Sequence, residues 1–217
     1  MTQPEDRDSR ERLLHEAERL FMAHGFAAVS TREICAAAGV KQPSLYHHFG
    51  SKEALYLAVV QRWFAARGAG IQQAIASGTS LREQLHGIAL LLWSDTAGEY
   101  QAMQRDAMMN MPPEHLQQTG QMVWETLLIP LVDLFSAART RGDLPEHADP
   151  LVLTQIFWAL VDGISGIYRR GDPMPTPQHN LSIIDFFLAG ARGMSLDDFA
   201  AWPRQWKWNP HTTKHSE

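Results

Sequence analysis

The sequence is poor in cysteine and in long apolar runs. Cys35 is the single cysteine among 217 residues, so the chain cannot form an internal disulfide or supply a cysteine cluster for zinc. No uncharged apolar run reaches about 18 residues, and the first residues are charged where a signal peptide would be apolar. We therefore expect a folded cytoplasmic protein with no membrane partner.

Positive charge is also scarce. The chain carries 19 lysines and arginines against 24 acidic residues, a net charge of -5, which argues against a broad basic surface for nonspecific nucleic-acid binding. Residues 30–52 differ, because they hold Arg32, Lys41 and Lys52 against one acid, Glu33. Any contact with DNA must therefore be local to this window.

Strand signals are missing as well. Apolar residues make up 45% of the chain and recur at helical spacing, without the strict alternation of a half-buried strand. The pattern predicts an all-α fold, with Asp8 and Glu11 capping the first helix and Pro130 kinking the seventh. The predicted helices, about nine, cover residues 9–24, 30–38, 42–50, 51–77, 80–96, 98–110, 113–141, 149–170 and 180–193. The tryptophan-rich tail from residue 199 loses this periodicity.

Two short helices near the N-terminus carry clear boundary signals. Ser30 and Glu33 have the spacing of a capping box, Gly39 ends this helix after two turns, and Pro43 suits the start of the next. Two short helices joined by a tight turn predict a helix-turn-helix, whose second helix usually lies in the DNA major groove.

One face of that second helix is predicted to meet DNA. At about 100° per residue, Leu45 and Phe49 fall on the same side and should anchor the helix. Hydroxyl and imidazole groups on the opposite side can donate to phosphates, and proline and tyrosine can contact thymine methyls. This exposed face consists of Pro43, Ser44, Tyr46 and His47.

Neighbouring helices add contacts on both sides of the predicted reading helix. Thr31 and Arg32 begin the preceding helix, where backbone donors and the positive end of the helix dipole favour a phosphate. Lys52 begins the following helix and adds a positive charge from the other side. That helix is long enough to leave a first domain, residues 1–50, and enter a second, residues 51–217.

The stretch VSTREICAAAGVKQPSLYHHFGSKEALYLAVV strongly resembles the N-terminal domain of the tetracycline-repressor (TetR) family of bacterial transcription regulators, over roughly residues 9 to 60. The resemblance implies a repressor that binds a palindromic operator as a homodimer and is released when a small molecule binds its C-terminal helical domain. The DNA contacts implied by motif position are Thr31, Arg32, Gln42, Pro43, Ser44, Tyr46, His47 and Lys52.

The adjacent pair His47 and His48 raises the alternative of a metal site. Neighbouring helical residues diverge by about 100°, whereas two ligands of one ion usually lie four residues apart on a helix. The sequence also shows no nucleophile beside a base, no phosphate-binding loop and no paired carboxylates. We predict no metal, no cofactor and no catalytic residue. An enzyme, or a helix-turn-helix used as an interaction module without DNA, remains the alternative.

The C-terminal two-thirds is predicted to hold an effector pocket. Pliable methionines and flat aromatic rings suit a hydrophobic small molecule, although ordinary helix packing would also explain them. The predicted pocket wall consists of Trp93, Met103, Met108, Trp124 and Phe157.

The last two helices, within residues 149–193, are predicted to form a dimer interface. They are apolar around much of their circumference, and their glycines allow close backbone approach. One apolar face can pack on the body while another is covered by a second copy, the alternative being a fully buried pair in a monomer. The predicted interface residues are Phe157, Leu160, Ile164, Ile167, Ile183 and Phe187.

Overall fold

The computed structural model describes residues 4–93, 97–168 and 177–193, without the side chains of residues 4–6, 97–102, 104, 164–168 and 177–180. Within these ranges the chain forms nine helices and no strand, which confirms the predicted all-α fold. The tail from residue 199 lies outside the described residues. The helices are α1 (Pro4–His24), α2 (Thr31–Ala38), α3 (Gln42–Phe49), α4 (Lys52–Ser77), α5 (Leu81–Leu92), α6 (Ala97–Asn110), α7 (Pro113–Arg141), α8 (Pro150–Tyr168) and α9 (Pro177–Gly193).

Helix α1 begins earlier than its sequence signals suggested. It starts at Pro4, so the predicted cap at Asp8 is wrong, and the Asp8 carboxylate instead pairs with Arg12 one turn later at 3.2 Å. Proline needs no backbone donor in the first turn of a helix, which makes Pro4 a suitable start. Asp8 is therefore the i,i+4 partner of Arg12 and does not cap the helix.

The first three helices pack on the start of α4 and make a small core. Phe21 of α1, Ile34 of α2, Leu45 of α3 and Leu55 of α4 are all fully buried. Helix α4, which is 26 residues long, then continues into the body, where it packs on α5 and α7. One unbroken helix therefore joins the N-terminal helices to the C-terminal body.

Helix α7 changes its winding just before Pro130. Residues Trp124–Leu128 form a π turn. The Ile129 amide donates to the carbonyl of Trp124, five residues earlier, whereas an α-helix would use the carbonyl four residues earlier. A proline inside a helix removes a donor and crowds the preceding turn, and a wider turn relieves both effects. Pro130 was predicted to kink the helix, and this π turn is how the chain accommodates it.

The π turn lies unusually close to α4. A Cβ atom built on Gly68 would lie 2.5 Å from the Cγ2 atom of Thr126 and 3.1 Å from its carbonyl oxygen. Gly70, two residues further along α4, would meet only the terminal part of the Leu91 side chain, the nearest methyl group at 2.7 Å. Only a glycine at position 68 permits this backbone approach, because the Thr126 carbonyl cannot rotate away.

We expect Gly68→Ala to lower the free energy of unfolding by about 1–3 kcal/mol, because the added methyl group forces α4 away from the π turn. Gly70→Ala is the matched control. It adds the same methyl group to the same helix, gains about 1 kcal/mol of helix propensity, and meets a side chain that can move. Urea denaturation of both variants measures the difference, and equal stabilities would contradict the role assigned to Gly68.

Helix α7 is also long and apolar enough, by length and composition alone, to cross a membrane. Only 33% of its apolar window is buried inside the chain, but the core helix of a protein outside the membrane can pass the same test. A single helix of this kind is weak evidence for a membrane.

Candidate nucleic-acid interface

The capping box predicted at the start of α2 is present. The Glu33 amide donates to the Ser30 hydroxyl oxygen at 3.2 Å, and the Ser30 amide and hydroxyl both donate to the Glu33 carboxylate at 2.7 Å. These hydrogen bonds, the one from the Ser30 amide foremost, lower the pKa of Glu33. The first turn of α2, which carries the predicted phosphate contacts, is thereby held in place.

The capping box should make stability depend on pH. Because the folded pKa of Glu33 is lowered, its contribution is present above the unfolded value of about 4.3 and is lost as the pH falls through the folded pKa. We expect Glu33→Gln to lower the melting temperature at pH 7 and to differ less from the native protein at pH 3.5. Glu114→Gln, at an exposed position in the first turn of α7, is the control. A Glu33→Gln deficit that stays constant with pH would contradict the prediction.

The turn between α2 and α3 needs glycine for its backbone geometry. Gly39 has φ of 63° and ψ of 35°, a left-handed conformation that costs other residues conformational energy. The Val40 amide donates to the carbonyl of Cys35 at 3.0 Å and closes the end of α2. This fixes the angle at which α3 leaves the turn.

Helix α3 is anchored on the side that the sequence predicted. Leu45 is fully buried, and Phe49 is partly buried beneath the Arg10 guanidinium, 5.3 Å from its ring centroid. On the opposite side Pro43 and His47 are exposed, and Tyr46 retains 50% of its surface. Ser44 is only half-buried and lies at the flank.

The predicted contacts of α2 and α3 meet at the N-termini of the two helices. The Gln42 amide group donates to the Thr31 hydroxyl at 3.2 Å, which ties the two helix starts together. Arg32 is exposed next to this bond. The residues predicted to contact phosphate and those predicted to contact bases therefore lie on one connected surface.

Lys52 is held differently from the other predicted contacts. Its ammonium nitrogen lies 4.2 Å from the ring centroid of Phe26, a cation–π distance, and burial is the main cause of its lowered pKa. The amine thus packs against the loop between α1 and α2. Its contact with DNA stays a prediction.

The two adjacent histidines lie in different environments. His47 is exposed, whereas His48 is partly buried, with ring centroids 5.4 Å apart and planes inclined by 60°. Among the residues that the structure describes, no group of three or more histidine, cysteine or acidic side chains could hold a metal ion.

The five predicted pocket residues differ in burial. Trp93, Met103 and Phe157 are buried, and the Trp93 indole donates to the carbonyl of Val161 at 2.8 Å. Trp93 therefore contacts α8, the helix that carries Phe157. Met108, on α6, is 49% exposed, and Trp124, at the π turn, is 41% exposed.

A separate polar cleft of about 430 Å³ lies at the far end of α4. The Arg82 side chain hydrogen-bonds to Asp185, with Nη2 at 2.8 Å, and Arg141 hydrogen-bonds to Asp143 at 3.0 Å. The Arg192 guanidinium donates to the carbonyl of Asp143 at 3.4 Å. The cleft's arginines thus already have acceptors. Its lining consists of Thr79, Ser80, Leu81, Arg82, Gln84, Arg141, Asp143 and Arg192.

Two of the six predicted dimer residues lie inside the chain. Phe157 and Phe187 are buried against each other, with ring centroids 5.6 Å apart, so they are not available to a partner. Leu160 and Ile183 are partly buried, and the side chains of Ile164 and Ile167 lie outside the described residues. Among the described side chains of α9, Phe186 is the large apolar one that is exposed, at 81%. Sequence reasoning missed it because α9 is apolar on several faces.

Comparison with known proteins identifies the N-terminal segment. Residues 13–59 match the family model for bacterial regulatory proteins of the tetR family. The chain is 42% identical over 78 residues to the HTH-type transcriptional activator FasR of Mycolicibacterium smegmatis, covering 36% of each protein. It is 35% identical over 78 residues to the repressor NemR of Escherichia coli, covering 36% of this chain and 39% of NemR. These matches thus span little more than a third of either relative.

Solved structures extend the similarity of fold to most of the chain. A TetR-family transcriptional regulator from Cytophaga hutchinsonii has a TM-score of 0.73 at 15% identity, with 90% of this chain and 100% of that chain covered. The transcriptional regulator FadR from Bacillus subtilis, in complex with stearoyl-CoA, has a TM-score of 0.68 at 14% identity, covering 84% and 97%.

Proposed function

The chain belongs to the tetR family of bacterial regulatory proteins through its N-terminal domain, and from this premise we propose that it is a cytoplasmic, DNA-binding transcriptional repressor. In this proposal residues 1–50 read the operator, and residues 51–217 bind a small hydrophobic effector and a second copy of the chain. The observation that carries the proposal is the exposed face of α3, with Tyr46 half exposed opposite the fully buried Leu45.

The arrangement suits a helix laid in the major groove. Tyr46, His47 and Pro43 can reach base edges and sugars, while Arg32 and the N-terminus of α2 face the flanking phosphates. Because the chain as a whole is acidic, this locally basic surface concentrates DNA contact at one place. Two copies are needed to read a palindrome, one for each half-site.

We propose that the exposed faces of α8 and α9 join the two copies. On α9 Phe186 shares its side of the helix with Gly190, and on α8 Ile156 is exposed near Gly163. Among the described residues, and apart from the neighbouring backbone of the same helix, no atom would lie within 4 Å of a Cβ atom built on either glycine. A large apolar side chain beside open, small positions supports close packing of a second pair of helices.

The proposed route from effector to DNA runs along α4. Gly68 allows this helix to approach the π turn of α7 closely, and π turns often occur at functional sites. An effector inserted between α4 and α7 would separate them and tilt α4, which begins at Lys52 beside the loop that precedes α2. By linkage, the effector then binds free protein more tightly than DNA-bound protein. FadR, which shares the fold, is known with stearoyl-CoA bound, and this supports a hydrophobic effector.

A gel-shift titration on the DNA that flanks the protein's own gene tests the proposal. We expect a retarded complex whose affinity falls steeply with salt, because phosphate contacts release counterions. A reporter fused to the same DNA should be more active when the gene is deleted. Absence of a shift would support an interaction module or an enzyme instead, and lower reporter activity on deletion would support an activator.

A further inference from the structure

The loop between α1 and α2 is held by a residue 79 positions away in the sequence. The amide of Ala27 donates to the Oδ2 atom of Asp106, on α6, at 2.7 Å. Helix α6 contacts α1 on one side and α8 on the other. This hydrogen bond therefore links the loop directly before the DNA-reading helices to a helix of the body.

The geometry around Asp106 is specific. The amide group of Asn110, one turn later, donates to the Oδ1 atom of Asp106 at 3.2 Å and orients the carboxylate. Gly25 has φ of 82°, and a Cβ atom added there would lie 2.9 Å from Oδ2. Glycine at position 25 therefore adopts the positive φ without strain and also leaves room for the Asp106 carboxylate.

The loop itself transmits this anchor to α2. Phe26 is buried, with its ring centroid 5.2 Å from that of Tyr56 on α4. Val29 is also buried, and Ser30 closes the capping box. Ala27 is only four residues from Thr31, so a rigid connection leads from Asp106 to the first turn of α2. A charge-assisted hydrogen bond to a backbone amide is stronger than a neutral one.

We propose that Asp106 is a positioning residue, which couples α6 to the loop at Ala27 and holds the helix-turn-helix in its DNA-reading orientation. The inference rests on the proposed function and specifies how the body controls it. This second connection runs from α6 through the loop and not along α4, so a shift of α6 also changes the orientation of α2 and α3. The residue contacts no DNA in this scheme and acts through the loop.

The test replaces the carboxylate and measures orientation and DNA affinity separately. Asp106→Ala removes the acceptor, whereas Asp106→Asn retains an oxygen that can accept from Ala27. Spin labels at Lys41→Cys and Ala137→Cys, in a Cys35→Ala background, report the distance between the helix-turn-helix and the body. We expect a broadened distance distribution and roughly tenfold weaker binding of the flanking DNA for Asp106→Ala, with substantial recovery for Asp106→Asn.

The matched control is Asp133→Ala, which removes the same side chain from an exposed position on α7 and should leave both measurements unchanged. If Asp106→Ala does not fold, Asn110→Ala keeps the carboxylate but removes its orienting donor, and should give a smaller broadening. An unchanged distance distribution, or unchanged DNA affinity with a broadened one, overturns the proposal. If the native protein binds no DNA while Asp106→Ala broadens the distribution, the positioning role stands and the proposed function fails.

Discussion

Phe186→Arg should convert the proposed dimer into a monomer of 24.4 kDa. The phenyl ring is 81% exposed in the single chain, and in the proposed interface the arginine would be buried against apolar and small residues without a partner charge. Losing the second copy also removes the second half-site contact. We therefore expect operator affinity to fall by about 10²–10⁴-fold. Light scattering and a gel-shift titration measure the two effects.

Met109→Arg is the matched control for this substitution. Met109 is 85% exposed on α6, outside the proposed interface, and the change adds the same charge to a similarly exposed apolar position. We expect it to keep twice the mass of one chain and its DNA affinity. A Phe186→Arg protein that keeps the dimer mass, or a native protein that is already monomeric, would show that this face is not the interface.

Tyr46→Ala and His47→Ala should each weaken operator binding by about 10–100-fold, since each acts in both half-sites of a dimer. Both side chains are exposed on the face of α3 opposite Leu45, so their loss should not change the melting temperature. The substitutions are best compared on the operator and on unrelated DNA of equal length. Loss confined to the operator indicates base reading.

Arg32→Ala should differ from these two substitutions, because Arg32 is expected to contact phosphate and not bases. It should weaken binding to both DNAs, and the slope of log affinity against log salt should fall in magnitude by about 0.9 for each phosphate that the arginine had neutralised. For His47→Ala, the control is His15→Ala, which removes an imidazole from an exposed position on α1. If Tyr46→Ala and His47→Ala bind the operator like the native protein, α3 is not the reading helix.

Local signals in the sequence were sufficient to predict the helix-turn-helix. The capping box at Ser30 and Glu33, the glycine turn at Gly39 and the buried position of Leu45 all lie within 16 residues, and the structure has each of them as predicted. The same kind of signal failed at Asp8, because an acidic residue can serve as a cap or as an i,i+4 partner. Only the position of the helix start at Pro4 distinguishes the two roles.

The faces of α8 and α9 could not be assigned in the same way. Phe186 and Phe187 are neighbours in an apolar helix, so periodicity does not decide which of them faces the body. The rotation of α9 is set by aromatic packing of Phe187 on Phe135 and Phe157, residues far apart in the sequence. The predicted interface therefore included a core residue and omitted its exposed neighbour.

The sequence by itself determined the all-α fold, the helix-turn-helix and the face of α3, because caps, turns and helical spacing act between residues close in the chain. Tertiary structure alone decided the contact of Gly68 with the π turn, the exposed position of Phe186 and the link from Asp106 to Ala27. Each of these depends on how distant helices pack together. The sequence around Gly68, Phe186 or Asp106 does not indicate which distant residue it will contact.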